Sequence, residues 1–380
     1  MGRRTRYDEE SGAQLRLITD RWIFGITVTL VVFGVLMVYS ASAMLAAEKF
    51  DSQTHFLARQ AAWAALGLIV MVVTLNIDYH TFQKPWIVYP LVGLCFVALV
   101  AVFFVPPINH AHRWLHWRSI NFQPSEFAKL GLMLFLAYWL SKRVPDRVEQ
   151  FWHTFFPCAA VTVLMMGLVA IEPDLGMALS VAFVMLVLMF AAGIPLRHIA
   201  TLSIAAVPAL YYLLFHVSWR LERLLVFLDP WRDPQGRGFQ SIQSMIAMGS
   251  GGLWGTGFAR GRQKLFYLPE PHTDFIFAEV GEEMGLVGVM MLVALFGLLF
   301  WRGLRIALRA PDLFGMLLAI GVASTIALQA LFNMSVTVGL LPVKGMPLPL
   351  VSYGGSSMLL TLTEVGILLN IAQQTKRTDA

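Results

Sequence analysis

Trp22-Ile-Phe-Gly-Ile-Thr-Val-Thr-Leu-Val-Val-Phe-Gly-Val-Leu-Met-Val38 contains no charged residue. Arg3, Arg4, Arg6, Arg16 and Arg21 precede it, and Ser40-Ala-Ser-Ala43 follows it. A basic head, an apolar body and a small-residue tail also describe a secretory signal peptide. A signal's apolar body is only about 7 to 15 residues long, whereas this one, Trp22 to Val38, is longer and many more spans follow. The stretch therefore reads as an uncleaved first transmembrane helix.

Working outward, comparable runs occur at Leu57 to Ile77, Trp86 to Val105, Phe127 to Leu140, Thr154 to Ile171 and Gly176 to Gly193. Others occur at His198 to His216, Phe275 to Trp301, Leu313 to Val336 and Leu348 to Ala372. A membrane-spanning helix needs roughly 17 to 25 predominantly apolar residues, so the chain crosses about ten times. Its composition agrees: 57% hydrophobic and 13% charged over 380 residues, with mean hydropathy +0.67. The expected fold is all-α, a polytopic membrane helical bundle. Its fourth run is short, and crosses only by taking in Ser125, Glu126 and Lys129.

The charges orient the bundle. With a basic N-terminus inside, the inner connections hold Lys84, then Lys142, Arg143 and Arg147, then Arg197, then Arg302, Arg305 and Arg309, and last Lys376 and Arg377. The short outer ones hold Lys49, Arg59, Arg113, Arg118 and Lys344. The positive-inside rule then puts both termini in the cytoplasm. That placement accounts for the net charge of +5 without nucleic acid as a partner. One outer connection is long. Val217 to Thr273 carries Arg220, Arg223, Arg232, Arg237, Arg260, Arg262 and Lys264 among Trp, Phe and Leu, a composition that folds. The organisation expected is a basic cytoplasmic tail over 1–21, one transmembrane domain over 22–372 with its extracytoplasmic loop at 217–274, and a cytoplasmic tail over 373–380. Cys95 and Cys158 sit in apolar runs, as small core residues rather than a disulfide or metal site.

Ionisable groups inside a span cost about 2.5 to 3.5 kcal/mol each and normally face a cavity or one another. Glu126 and Lys129, three apart, share one helix face and can pair. They mark a polar cavity or lock the bundle. Glu172 and Asp174 stand in the turn Glu172-Pro-Asp-Leu-Gly176, where solvated turn carboxylates are the plain alternative. Asp274 enters the eighth span, either as an N-terminal cap or as a working carboxylate beside His272, Glu270 and Lys264. His272 is itself a possible base or proton relay, and local sequence does not choose between them. Gly249, Gly251, Gly252, Gly255, Gly257 and Gly261 lack the strand and the GK[ST] of a nucleotide loop, so they allow close packing against the bundle. Nearby Arg260, Arg262 and Lys264 permit an anionic ligand. Gly345-Met-Pro-Leu-Pro349 and Ser352-Tyr-Gly-Gly-Ser-Ser357 break the last apolar run, which is tolerated where the chain lines a cavity.

Together these segments resemble the SEDS (shape, elongation, division and sporulation) family of bacterial cell-wall polymerases, from the first span to the last. The carriers are Val38-Tyr-Ser-Ala-Ser42, Arg113-Trp114, Phe122-Gln-Pro-Ser-Glu-Phe-Ala-Lys129 and Pro173-Asp-Leu-Gly176. The long loop adds Arg220, Arg223, Phe227-Leu-Asp-Pro-Trp231 through Asp233-Pro234, Gln263-Lys264 and Leu268-Pro-Glu-Pro-His-Thr-Asp-Phe-Ile-Phe-Ala278. Gly339-Leu-Leu-Pro342, Pro347-Leu-Pro349 and Ser352 to Ser357 complete the set. Tyr39-Ser-Ala-Ser42 and Lys344-Gly345 resemble the cell-division branch, FtsW, more than the rod-elongation branch, RodA. The stretch His110 to Ile120, Glu172 and Val343 depart from the usual pattern.

The resemblance implies a peptidoglycan glycosyltransferase of the bacterial inner membrane that polymerises lipid II on the periplasmic side, at the division septum. It implies a class B penicillin-binding protein and other divisome membrane proteins as partners. By resemblance Asp274 is the essential loop aspartate, and Glu126, Lys129 and Asp174 are central-cavity residues. Linking an α sugar pyrophosphate in β inverts the anomeric carbon, so one base suffices and Asp274 is expected to fill that role. The leaving pyrophosphate needs cations, for which Arg113, Lys129, Arg223 and Lys264 are candidates, with Arg220 and His272 completing the substrate-binding set. A divalent cation, Mg or Mn, is compatible with the same role, although no ligand cluster declares one. The alternatives are a lipid II flippase, an elongation-type polymerase, and a scaffold that only docks division proteins.

Overall fold

The computed structural model describes residues 20–107, 112–117, 120–264 and 269–375. Most of both predicted cytoplasmic tails, with Arg3, Arg4, Arg6, Arg16, Lys376 and Arg377, lies outside the described residues, as do Arg118 and residues 265–268. Helices α1 (Arg21–Phe50), α2 (His55–Leu75) and α3 (Pro85–Ala101) lead to a small antiparallel hairpin. In it β1 (Leu115–Trp117) pairs with β2 (Ile120–Phe122), Leu115 opposite Phe122. Helices α4 (Pro124–Arg147), α5 (Phe156–Ile171), α6 (Leu175–Ala191) and α7 (Leu196–Phe215) follow. The long connection holds α8 (Ser218–Leu228) and α9 (Phe239–Ser250), and then come α10 (Ile276–Arg309), α11 (Leu313–Thr337) and α12 (Gly355–Gln374).

Among the described residues, eight helices are long and apolar enough to cross a membrane. They are α1, α2, α3, α5, α7, α10, α11 and α12, with α3 and α5 counted together with their short extensions. Two more complete the bundle. The apolar α6 has 17 residues, and α4 has 24 but carries Glu126 and Lys129 in its first turns, as the short fourth run requires. The chain is thus a multi-pass membrane protein built as one helical bundle.

Small residues let the helices close on one another, since lipid supplies no hydrophobic drive between them. A side-chain carbon on Gly366 of α12 would fall 1.9 Å from Thr74 Oγ1 on α2, and one on Gly34 of α1 would fall 2.6 Å from the Val351 backbone. Asp20 caps α1 by accepting from the Trp22 and Ile23 amides at 3.0 and 3.1 Å. Pro124 opens α4, where its missing N–H costs nothing.

Two spans depart from the hydropathy pattern. The last one starts at Gly355, not Leu348, because residues from Leu340 to Gly354 carry Pro342, Pro347 and Pro349 and form an irregular segment. That segment still turns inward, burying Met346, Leu348, Leu350 and Val351. The eighth run is a helix broken at Gly285, whose φ of 65° is outside the helical region. The glycine-rich turn after α9 repairs the break: the Thr256 and Gly257 amides donate to the Glu282 and Glu283 carbonyls at 2.9 and 3.0 Å, and Leu286 N donates to Gly252 O at 2.9 Å. Only glycine fits at Gly285 and Gly255, because a side-chain carbon there would meet backbone at 2.4 and 2.1 Å.

Candidate active site

The irregular segment between α11 and α12 needs partners for its backbone inside the bundle, and polar side chains of two helices, α11 and α2, supply them together with its own Ser352. Asn333 Nδ2 donates to the Met346 and Asp274 carbonyls, both at 2.8 Å, and Gln329 Nε2 donates to Pro347 O at 3.2 Å. Ser352 Oγ donates to Thr273 O at 2.6 Å and accepts from Leu348 N at 2.8 Å. Tyr353 N donates to His272 O at 2.9 Å, while Gln60 Nε2 of α2 donates to Ser352 O at 3.1 Å. The stretch His272 to Asp274 is thereby stitched to the segment carrying Gly345 and Pro347.

Between them opens a cavity of about 410 Å³ lined by Arg59, Trp63, Arg113, Asp174, Glu270 and Asp274, with Gly345 and Tyr353 at its walls. Asp274 does not cap α10: Phe275 holds that position, and no side chain caps the helix. The capping alternative falls, and the carboxylate is left to the cavity. Burial, with Glu270 and Asp174 pushing the same way against Arg113, raises its pKa to about 6.

A second pocket of about 70 Å³ shares Arg113, Asp174 and Gly345 with the first, and adds Arg220, Arg223 and Lys344. Arg113 is held in place by Pro173 O at 2.5 Å and Glu172 O at 3.4 Å, with its Nε 3.8 Å from Asp174 Oδ2. Asp174 in turn caps α6, accepting from Met177 N at 3.1 Å. Burial lowers the pKa of Lys344 to about 8; Asp174 opposes the shift, and Arg220, Arg223 and Arg113 add to it. Arg223 is lowered by burial and then by Arg113. Arg113, Arg220, Arg223 and Lys344 thus line one pocket with Asp174, cationic side chains of the kind that bind an oxyanion-rich ligand.

The fold thus brings together Asp274, Arg113, Asp174, Arg220 and Arg223. It sets the other expected residues elsewhere. Lys129 is buried, with Nζ 2.8 Å from Glu126 Oε2 and 2.9 Å from Gln329 Oε1. Neither Glu126 nor Lys129 lines the cavity; Gln329 links both to Pro347, which does. Lys264 lies beside the broken start of α10, 2.5 Å from Glu283 Oε1 and 2.9 Å from Ser40 Oγ. His272 turns its ring toward Phe56 and Tyr353, with centroids at 4.6 and 5.5 Å, outside the cavity wall. Burial, helped by Lys49, lowers its pKa to about 4, so it is neutral at pH 7 and its approach to Glu270 is no ion pair. Lys344, Arg59 and Trp63 are absent from the sequence-derived set. A lone lysine between Pro342 and Pro347, in a segment already marked as broken, was the available signal for Lys344. Among the described residues, no group of three or more His, Cys, Asp or Glu side chains is arranged to hold a metal ion.

Residues 20–377 match the cell cycle protein family model that groups FtsW, RodA and SpoVE. A probable peptidoglycan glycosyltransferase FtsW of Geobacter sp. strain M18 is 44% identical over 357 residues, covering 93% of this chain and 96% of that protein. Stage V sporulation protein E of Bacillus subtilis strain 168 is 41% identical over 355 residues, covering 92% and 96%. A solved structure described as showing structural coordination of polymerization and crosslinking by a peptidoglycan synthase complex superposes with a TM-score of 0.75 at 36% identity. It covers 93% of this chain and 97% of its own.

Proposed function

The chain belongs to the FtsW/RodA/SpoVE family of cell cycle proteins, and from that premise we propose that it is a peptidoglycan glycosyltransferase that polymerises lipid II during cell division. The observation that carries this proposal is the adjoining pair of cavities, with a base on one side and a cation cluster on the other. A carboxylate whose pKa is near 6 is mostly ionised at pH 7, yet still basic enough to take a proton as one is released.

In the reaction, Asp274 accepts the proton of the acceptor sugar's 4-hydroxyl as that oxygen attacks the donor's anomeric carbon. The bond from that carbon to the pyrophosphate oxygen breaks, and its electron pair leaves with undecaprenyl pyrophosphate. Arg113, Arg220, Arg223 and Lys344 face the negative charge as it develops, while Asp174 fixes Arg113 and the start of α6. Displacement from one side inverts the anomeric centre, so no covalent enzyme intermediate is required. The buried Glu126–Lys129–Gln329 network holds the floor through Pro347, and its contribution is to position the site. The basic residues at the other end of the bundle support a periplasmic site, and the likeness to FtsW relatives supports a place at the septum. The likeness to a peptidoglycan synthase complex supports a class B penicillin-binding protein as the crosslinking partner.

Purified protein, supplied with lipid II and its transpeptidase partner, is expected to yield a ladder of glycan strands on a gel. Asp274→Asn is expected to lower the rate by about 10²–10⁴-fold, the usual worth of a general base. A folded Asp274→Asn protein that polymerises at the normal rate overturns the assignment.

A further inference from the structure

At the end of α10 remote from Asp274, the last two turns present Arg302, Arg305 and Arg309 at spacings of three and four, and so on one face. They converge on a separate cavity of about 130 Å³ that also takes in Asp20 and Thr375. That is space for roughly four waters, and hence for a tetrahedral phosphate group. Asp20 is occupied on both sides: it caps α1, and it pairs with Arg302 Nη2 at 2.5 Å. Arg305 stacks 3.9 Å over the Trp301 ring. Among the described residues, neither Arg305 nor Arg309 has a carboxylate partner. Asp312, the next acid along the chain, is taken up by the Gly315 amide, the Tyr79 hydroxyl and His80.

The cavity therefore holds three guanidinium groups against one carboxylate. The carbonyl end of α10 favours arginines at these positions, but it does not explain why they close on a hollow. The surroundings narrow the ligand. Trp301 and Leu308 stand exposed on the adjoining face of the same turns, an aromatic and an aliphatic side chain suited to the headgroup boundary and the upper acyl chain. We propose that this cavity binds the phosphodiester headgroup of an anionic phospholipid, with Arg305 and Arg309, which have no carboxylate partner among the described residues, as its contacts and Arg302 held in place by Asp20. The site is independent of the proposed glycosyl transfer. It would tie the exit of α10 and both ends of the described chain, Asp20 and Thr375, to the membrane's charged surface.

The test uses full-length protein purified in detergent, with bound lipids counted by native mass spectrometry after addition of phosphatidylglycerol or phosphatidylcholine. Wild type is expected to retain phosphatidylglycerol selectively. R305Q/R309Q is expected to bind it roughly 30-fold more weakly at low salt, from the usual worth of two basic residues at a charged membrane surface. Arg197→Gln, which removes an exposed arginine already paired with Glu149, is expected to leave retention unchanged. A thermal unfolding midpoint shared by wild type and R305Q/R309Q excludes misfolding as the cause of any loss. Equal retention of the two lipids by wild type, or undiminished retention by R305Q/R309Q, overturns the site. Inorganic phosphate that displaces phosphatidylglycerol at matched ionic strength would show a soluble phosphate to be the ligand, and would overturn the lipid assignment.

Discussion

Gly345→Ala tests the geometry of the proposed base without touching it. A side-chain carbon at Gly345 would sit 2.8 Å from Asp274 Oδ2 and 3.5 and 3.6 Å from its Cγ and Oδ1. The backbone at Gly345 does not need glycine, because its φ is not in the left-handed range, and the residue is exposed. Alanine is therefore tolerated by the fold, and the carboxylate must yield by about 0.6 Å to regain ordinary contact. A 1 Å misplacement of a catalytic group costs on the order of 10²-fold, so a retreat of this size predicts a loss on the order of 10-fold in kcat, or about 1.4 kcal/mol. The assay is the initial rate of strand formation from lipid II, set beside the thermal unfolding midpoint. Gly167→Ala, in the interior of α5 where no atom lies within 4 Å of the new carbon, serves as the control and is expected to leave the rate unchanged without lowering the melting midpoint. If Gly345→Ala polymerises at the wild-type rate, the carboxylate does not work from the position seen beside Gly345, and the proposed attack geometry is refuted.

The rate should be bell-shaped in pH. It rises through about 6 as Asp274 loses its proton and becomes a base, and it falls above about 8 as Lys344 loses its charge; Lys344→Arg should remove the alkaline limb in a pH–rate profile. Lys264→Met should leave Glu283 buried and unpaired, destabilising the protein by about 3–5 kcal/mol in a thermal or denaturant melt. K264M/E283L should recover much of that loss, whereas a stable Lys264→Met protein lacking only polymerisation would put Lys264 in contact with substrate. Glu172 has neither carboxylate oxygen hydrogen-bonded, and its pKa is raised to about 8, chiefly by burial and then by Asp174. With the folded value above the unfolded 4.5, its contribution to stability is intact below pH 4.5 and is lost as pH rises through 8. Glu172→Gln should therefore melt several degrees higher than wild type at pH 9 and at the same temperature at pH 4.5, as followed by tryptophan fluorescence.

Reading the sequence succeeded where the cause is local. A span must be apolar over its whole length, so the ten helices are written in hydropathy, and even the weak fourth span was marked by the charges that weaken it. The Glu126–Lys129 pair was legible for the same reason: three residues along a helix fix two side chains on one face, whatever the tertiary fold. The fate of Lys264 was not, because its partners are Glu283, 19 positions on, and Ser40, 224 positions back. Nothing in the loop's own composition distinguishes a lysine bound for a phosphate from one that neutralises a buried glutamate. The break at Gly285 is equally silent, since glycine is common in membrane helices and the hydrogen bonds that pay for the kink come from a separate turn.

Lys344 shows the complementary case, in which local sequence contains the clue but not its meaning. Prolines at 342 and 347 forbid a regular helix, so the chain between them must find hydrogen-bond partners within the bundle, and Asn333 and Gln329 provide them. Once those contacts draw the segment against Asp274, the lysine it carries has nowhere to go except beside Asp174 and the three arginines. The broken helix that hydropathy flags as a defect is thus what delivers a cation to the proposed leaving group and presses Gly345 against the proposed base. A continuous helix through the same residues would fan their side chains around its axis, and would separate Lys344 and Gly345 from the cavity they now share.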